Sequence, residues 1–309
     1  MVEKSFSDEV RSEICTNITD KDKRFACLYG MLLFAKVLDR GKICFQSKSR
    51  ISAETFGNLF KRVFHEELQY RESQGRNSKV MYIYDIKSEE LINKIFMKYH
   101  FSETERHIDS EIISTSSLGI FTAGVFLAGG SVNDPEKEYH LEFTAPSESL
   151  ARELITLLSD IGVTSGQALR RGQQVVYIKG SESIEDTLTF IGAQQCTLDL
   201  INVKIYKDIR NKANRIANCD SANIDKLVRA SMRQIDDIKL ISEVQGLESL
   251  SEELREIAEI RLANTDMSLQ DIGDSLKEPI SRSGVNHRFK RLARIAENIR
   301  KANGIYESK

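Results

Sequence analysis

Thr122-Ala-Gly-Val-Phe-Leu-Ala-Gly-Gly130 is the stretch on which the fold turns. Its small residues at 123, 124, 128, 129 and 130 include pairs four apart, on one helical face, where they let two helix backbones come close. A counterpart lies upstream: Leu28-Tyr-Gly-Met-Leu-Leu-Phe-Ala35 carries Gly30 94 positions before Gly124. The spacing recurs. Val80, Tyr82, Ile83, Ser88 and Glu90 reappear 95 positions later as Val175, Tyr177, Ile178, Ser183 and Glu185, and helix starts near Ser52 and Ser147 repeat it again. Two copies at so long a period are not a solenoid, which stacks three or more shorter units. They are the trace of a duplicated domain with a pseudo-two-fold axis.

Each copy reads as helices alternating with strands. The first has helices over 22–38, 53–68 and 89–99 and strands over 43–46 and 80–86. The second has helices over 117–128, 147–161 and 183–191 and strands over 140–143 and 174–178. The class is therefore α+β. Beyond Asn202 the strand signals stop. The expected organisation is a duplicated domain over 1–201 (repeats about 20–105 and 115–200), a helical linker over 202–248 and an all-α domain over 249–309.

The chain has 309 residues, 40% hydrophobic and 29% charged, enough apolar content for real cores. Five scattered cysteines without a CxxC pair, a charged N-terminal stretch and no apolar run of about 18 residues predict a reduced, cytoplasmic protein with no membrane role. The formal net charge of −2 hides a split. Residues 204–233 carry a net +5, 234–279 a net −8 and 280–309 a net +6, whereas 1–201 carry −5. The last value opposes a tight autonomous DNA clamp in the first domain.

The C-terminal block has the sharpest pattern. Ser251 precedes a helix with Glu252 and Glu253 in its first turn and apolar Leu254, Ile257, Ala258 and Leu262. Ser268 with Asp271 marks a second start, burying Leu269, Ile272 and Leu276, and Pro279 breaks the chain. A third helix carries Val285, Phe289, Leu292, Ala296 and Ile299 at steps of four, three, four and three. That stripe turns Asn286, His287, Lys290, Arg291 and Arg294 to opposite or flanking faces, with Ser281, Arg282, Ser283 and Arg288 at the N-terminal end. Three short helices, the last basic and amphipathic, describe a helix-turn-helix whose third helix enters the major groove of double-stranded DNA. Asn suits adenine, Arg and Lys suit guanine, and hydroxyls at the helix N-terminus suit phosphate.

In the linker, Lys204, Lys207, Arg210 and Arg215 form a basic cluster with Lys212, a second candidate for phosphate or for docking between domains. The five histidines show no metal-ligand spacing, and no phosphate loop or nucleophile elbow appears, so no cofactor is expected.

The two glycine-bearing helices resemble the LAGLIDADG homing-endonuclease fold, whose halves have an αββαββα order. The resemblance implies an acidic, metal-holding residue at the end of each signature helix. Those positions fall on Ala35 and Gly129, so the scaffold is expected to be catalytically dead and metal-free. Leu127–Lys137, Tyr139–Phe143, Asn211–Asn223 and Ser281–Arg288 resemble the WhiA family of bacterial regulators. That likeness implies a nucleoid-associated DNA-binding regulator of sporulation or cell division, in some lineages with a partner regulator or cell-division protein. Two alternatives stay open: an active endonuclease using Asp39 and Asp134, and a nucleoid protein with little sequence preference.

Overall fold

A computed structural model describes residues 5–74 and 80–302; the end of the expected 249–309 domain, from 303, lies outside the described residues. The chain divides into two compact units, Met1–Asp208 and Ile209–Lys309.

The first unit opens with α1 (Phe6–Asn17), which the sequence reading did not anticipate, and then repeats one pattern twice. The first pass is α2 (Lys21–Leu33), β1 (Val37–Leu38), β2 (Ile43–Ser47), α3 (Arg50–Phe64), β3 (Arg71–Gln74), β4 (Val80–Ile86) and α4 (Glu89–Lys98). The second is α5 (Leu118–Gly129), β5 (Gly130–Val132), β6 (Leu141–Ala145), α6 (Glu148–Asp160), β7 (Gly166–Arg170), β8 (Gln173–Ile178) and α7 (Ser181–Phe190). The sheets are topological copies, β1-β2-β4-β3 and β5-β6-β8-β7, antiparallel throughout. This is the duplicated αββαββα architecture.

Three expectations need correction. The first helix stops at Leu33, and Val37 and Leu38, expected to continue it, pair as a strand with Cys44 and Ile43. Ser52 does not open α3; it is buried inside that helix, and Ser49 holds the N-cap position. Ser183 likewise lies inside α7, whose cap is Gly180, whereas Ser88 and Ser147 do accept from backbone N–H groups as capping predicts.

The two signature helices meet on their glycines. A Cβ on Gly30 would fall on the Phe121 carbonyl oxygen, and one on Gly124 on the Cys27 carbonyl oxygen. Each glycine thus faces the residue three before the other, as a two-fold axis between the helices requires. Around them Leu28, Leu32, Phe121 and Val125 are fully buried, so the core of this unit is built on the helix pair. Gly129 ends α5 and Gly130 stands just past it. Gly130 is extended (φ −81, ψ 150), and a Cβ there would meet the Phe126 ring. Close packing, not a left-handed turn, requires glycine at that position.

α8 (Gln194–Gln245) runs from the first unit into the second; the Glu13 carboxylate accepts from the backbone N–H groups of Gln195 (2.6 Å) and Cys196 (2.9 Å) at its start. The second unit adds α9 (Glu252–Ala263), α10 (Leu269–Asp274) and α11 (Arg282–Ala302). No helix among the described residues is long and apolar enough to cross a membrane.

Candidate nucleic-acid interface

In α11 the stripe Val285, Phe289, Leu292, Ala296 and Ile299 is buried throughout, against Leu254, Ile257 and Ala258 of α9, Ile272 and Leu276 at α10, and Ile238 and Ile241 of α8. Burying that side leaves Arg282, Ser283, Asn286, His287, Lys290 and Arg294 exposed on the other, and among the described residues none of them has an ion pair. Ser281 caps the helix, its Oγ accepting from the Gly284 N–H at 3.3 Å and its carbonyl from the Val285 N–H at 3.0 Å. Gly273 lets the connection lie close, since a Cβ there would strike the Ile280 carbonyl oxygen.

Two arginines stand apart from that exposed group. Arg288 is only 16% exposed and, with Arg291, approaches the Glu253 carboxylate of α9 at 3.9 Å. Arg288, expected at the reading end, is held against the neighbouring helix instead. Ser251 also departs from expectation: its side chain makes no capping bond, and only its carbonyl accepts, from the Leu254 and Arg255 N–H groups. Ser268 does cap, accepting from the Asp271 N–H at 3.2 Å while its hydroxyl donates to the Asp271 carboxylate at 2.7 Å. Arg261 fixes the α9–α10 turn. It is buried, its guanidinium donates to the carbonyls of Thr265 (3.2 Å) and Met267 (2.7 Å), and it lies over the Phe289 ring. Burial draws its pKa below the usual arginine range.

The linker cluster divides. Lys204 pairs with Glu185 at 3.0 Å, a contact that raises its pKa, and Lys207 donates to the Pro135 carbonyl at 2.6 Å and lies over the Tyr139 ring. Both lysines are engaged inside the first unit. Arg210 and Arg215 are exposed.

In the first unit a groove of ≈ 950 Å³ runs past the ends of the signature helices, lined among others by Arg11, Lys36, Lys48, Gly129, Glu142 and Thr144. Ala35 and Gly129 offer no side-chain ligand there, and a guanidinium stands at each helix end. Arg106 donates to the carbonyls of Leu33 (3.2 Å) and Ala35 (2.5 Å), closing α2. Arg11 donates to the carbonyl of Gly130 (2.6 Å), just past α5, and pairs with Asp8 (2.8 Å). Arg11 and Arg106 are 95 residues apart, as are Ala35 and Gly130, so the arginine ahead of the first repeat closes α5 of the second, and the arginine ahead of the second closes α2 of the first. Sequence reasoning missed this pair although the repeat spacing marks it. Burial lowers both arginine pKa values, opposed by Asp8 at Arg11 and by Asp39 at Arg106. Asp39 and Asp134 serve their own turns: Asp39 accepts from the N–H groups of Gly41 and Lys42, and Asp134 from that of Glu136. With Ala35 and Gly129 at the metal-holding positions, and a guanidinium at each helix end that at α5 ties up Asp8, the site does not fit a divalent-metal pair.

His140 is buried in the second repeat, 3.3 Å from Glu142, which also holds Arg170 at 3.0 Å.

Comparison with known proteins gives the same two parts. Residues 118–210 match the model of the WhiA LAGLIDADG-like domain and residues 213–296 that of the WhiA C-terminal HTH domain. Proteins named "Probable cell division protein WhiA" are similar along their length: one from Clostridium acetobutylicum is 35% identical, covering 96% of this chain and 99% of its own. One from Ruminiclostridium cellulolyticum is 36% identical, covering 97% and 99%. A crystal structure of full-length WhiA from Thermatoga maritima aligns with TM-score 0.59 at 25% identity, over 96% of this chain and 99% of that one. The isolated N-terminal LAGLIDADG domain of a WhiA protein aligns with TM-score 0.51 at 22% identity, over 62% and 92%.

Proposed function

Because the chain belongs to the WhiA family, uniting a degenerate LAGLIDADG domain with a helix-turn-helix, we propose that it is a sequence-specific DNA-binding regulator acting on genes of cell division or sporulation at the nucleoid. The observation that carries this reading is α11, whose apolar stripe is fully buried while Asn286, His287, Lys290 and Arg294 stand out. In this reading Asn286 and Lys290 meet base edges, Arg282, Ser283 and Arg294 meet phosphates or flanking bases, and Ser281 orders the helix end. Arg291 and Arg288 act from the flank, adjusted by Glu253. The names of its relatives support the cell-division role, and the net −5 of residues 1–201 supports a protein-binding or spacing role for the old nuclease scaffold.

The chain works without hydrolysing DNA: the helix ends that would carry a metal pair carry Arg11 and Arg106 instead. Two experiments test the reading. Selection from a random duplex library with the full chain should converge on one motif; a pool that stays random would overturn sequence-specific regulation in favour of unspecific nucleoid binding. Incubation with supercoiled plasmid and magnesium or manganese should leave it uncut, whereas cleavage abolished by Asp39→Ala or Asp134→Ala would restore the endonuclease reading.

A further inference from the structure

The uncovered stretch of α8 in the second unit is a strongly charged surface that the recognition helix does not account for. Every residue from 211 to 230 is exposed. At about 100° per residue, Lys212, Arg215, Lys226, Arg229 and Arg233 fall within a sector of roughly 100°. Ile209, Ile216, Ile224 and Leu227, each more than half exposed, occupy a different sector. Arg210 falls outside the cationic one. Asp220 and Asp225 also lie off it, and none of the five cations has an ion pair or side-chain hydrogen bond among the described residues. From Lys212 to Arg233 the row spans about 31 Å at 1.5 Å per residue, close to one turn of B-DNA.

The row belongs to the same compact unit as α11. One turn beyond Arg233, Asp237 pairs with Arg300 at 2.7 Å, fixing this end of α8 to the C-terminal part of the recognition helix. Five unneutralised cations in a line, on a helix tied to α11 by the Asp237–Arg300 pair, match an anionic polymer in sign and in length.

We propose that this face of α8 lies along the phosphate backbone of the duplex that α11 reads, with Lys226, Arg229 and Arg233 as its main contacts and Lys212 and Arg215 extending it. The proposal rests on the DNA-binding reading above. It assigns α8 the sequence-independent share of affinity and leaves discrimination to α11.

The test is fluorescence anisotropy with the full-length chain and a labelled 40-base-pair duplex of mixed sequence, titrated from 50 to 300 mM salt. Each phosphate that is no longer neutralised makes the slope of log affinity against log salt shallower by about 0.9. Lys226→Gln/Arg229→Gln/Arg233→Gln should therefore flatten the slope by about 2–3 and weaken binding at 100 mM salt at least tenfold. The apolar-face variant Ile216→Gln/Leu227→Gln should keep the parental slope. Circular dichroism checks helicity, and the double variant Lys212→Gln/Arg215→Gln, with a smaller flattening, serves if the triple variant loses structure. A parental slope in both cationic variants, with the parent binding normally, overturns this proposal and leaves the α11 reading intact. A parent that binds neither this duplex nor any selected one overturns both.

Discussion

At the scale of single residues, the first unit depends on what is missing from a side chain or added at a helix end. Gly30 and Gly124 each face a backbone oxygen of the other helix, which cannot yield as a side chain would. Gly124→Ala should cost about 1–3 kcal/mol or more, read as a lowered denaturant midpoint, with Gly30→Ala similar because the axis relates them. Arg11 and Arg106 supply donors to carbonyls that the helices leave unpaired. Arg11→Ala or Arg106→Ala should each lose about 1–3 kcal/mol, and the double variant should lose roughly the sum if the two ends act independently. Asp85 gives a pH signature. Hydrogen bonds from the Lys42 ammonium and from Arg71 hold its pKa down at about 2. A lowered carboxylate pKa means stability that is present above the ordinary range near 4 and lost as pH falls through about 2. Melting curves of Asp85→Asn should therefore fall below the parent at pH 6 and converge with it near pH 2. The glycines were legible because a two-copy repeat exposes a shared spacing. The arginines carried the same 95-residue offset, but a charged residue in a polar stretch gives no hint that it reaches into the other repeat.

At the scale of elements, amphipathic helices were legible and short strands were not. The α11 stripe was readable to the residue because burial on one side of a long helix leaves a 3.6-residue period in sequence. β3 and β7 left no such trace: Arg71–Gln74 reads Arg-Glu-Ser-Gln, mostly exposed, and becomes a strand by pairing with β4 at a sheet edge. β5 is three residues beginning with Gly130, the glycine that follows α5. Arg261 is buried among the apolar residues of α9, and its guanidinium joins α9 to the turn before α10. Arg261→Ala should leave those carbonyls unpaired and open a cavity beneath Phe289, at about 2–4 kcal/mol to the second unit. Arg261→Lys should recover little, because an ammonium lacks the planar fork.

At the scale of the whole molecule, the old scaffold and the helix-turn-helix are separate cores joined by one continuous helix, and each rests on its own interactions. Adding magnesium or EDTA should leave thermal unfolding of both unchanged, since Asp39 and Asp134 are committed to turns and arginines close the signature helices. A melting temperature raised by millimolar magnesium would show a cation site this reading excludes. In the proposed function α11 reads bases. Its most direct test is the ratio of dissociation constants for a selected duplex and its scrambled counterpart, measured for the parent and for Asn286→Ala/Lys290→Ala. The parent should discriminate, and the double variant should lose about 1–3 kcal/mol of discrimination per residue, tenfold or more overall, while binding the scrambled duplex nearly as before. An unchanged ratio in the variant would mean that another surface reads the DNA.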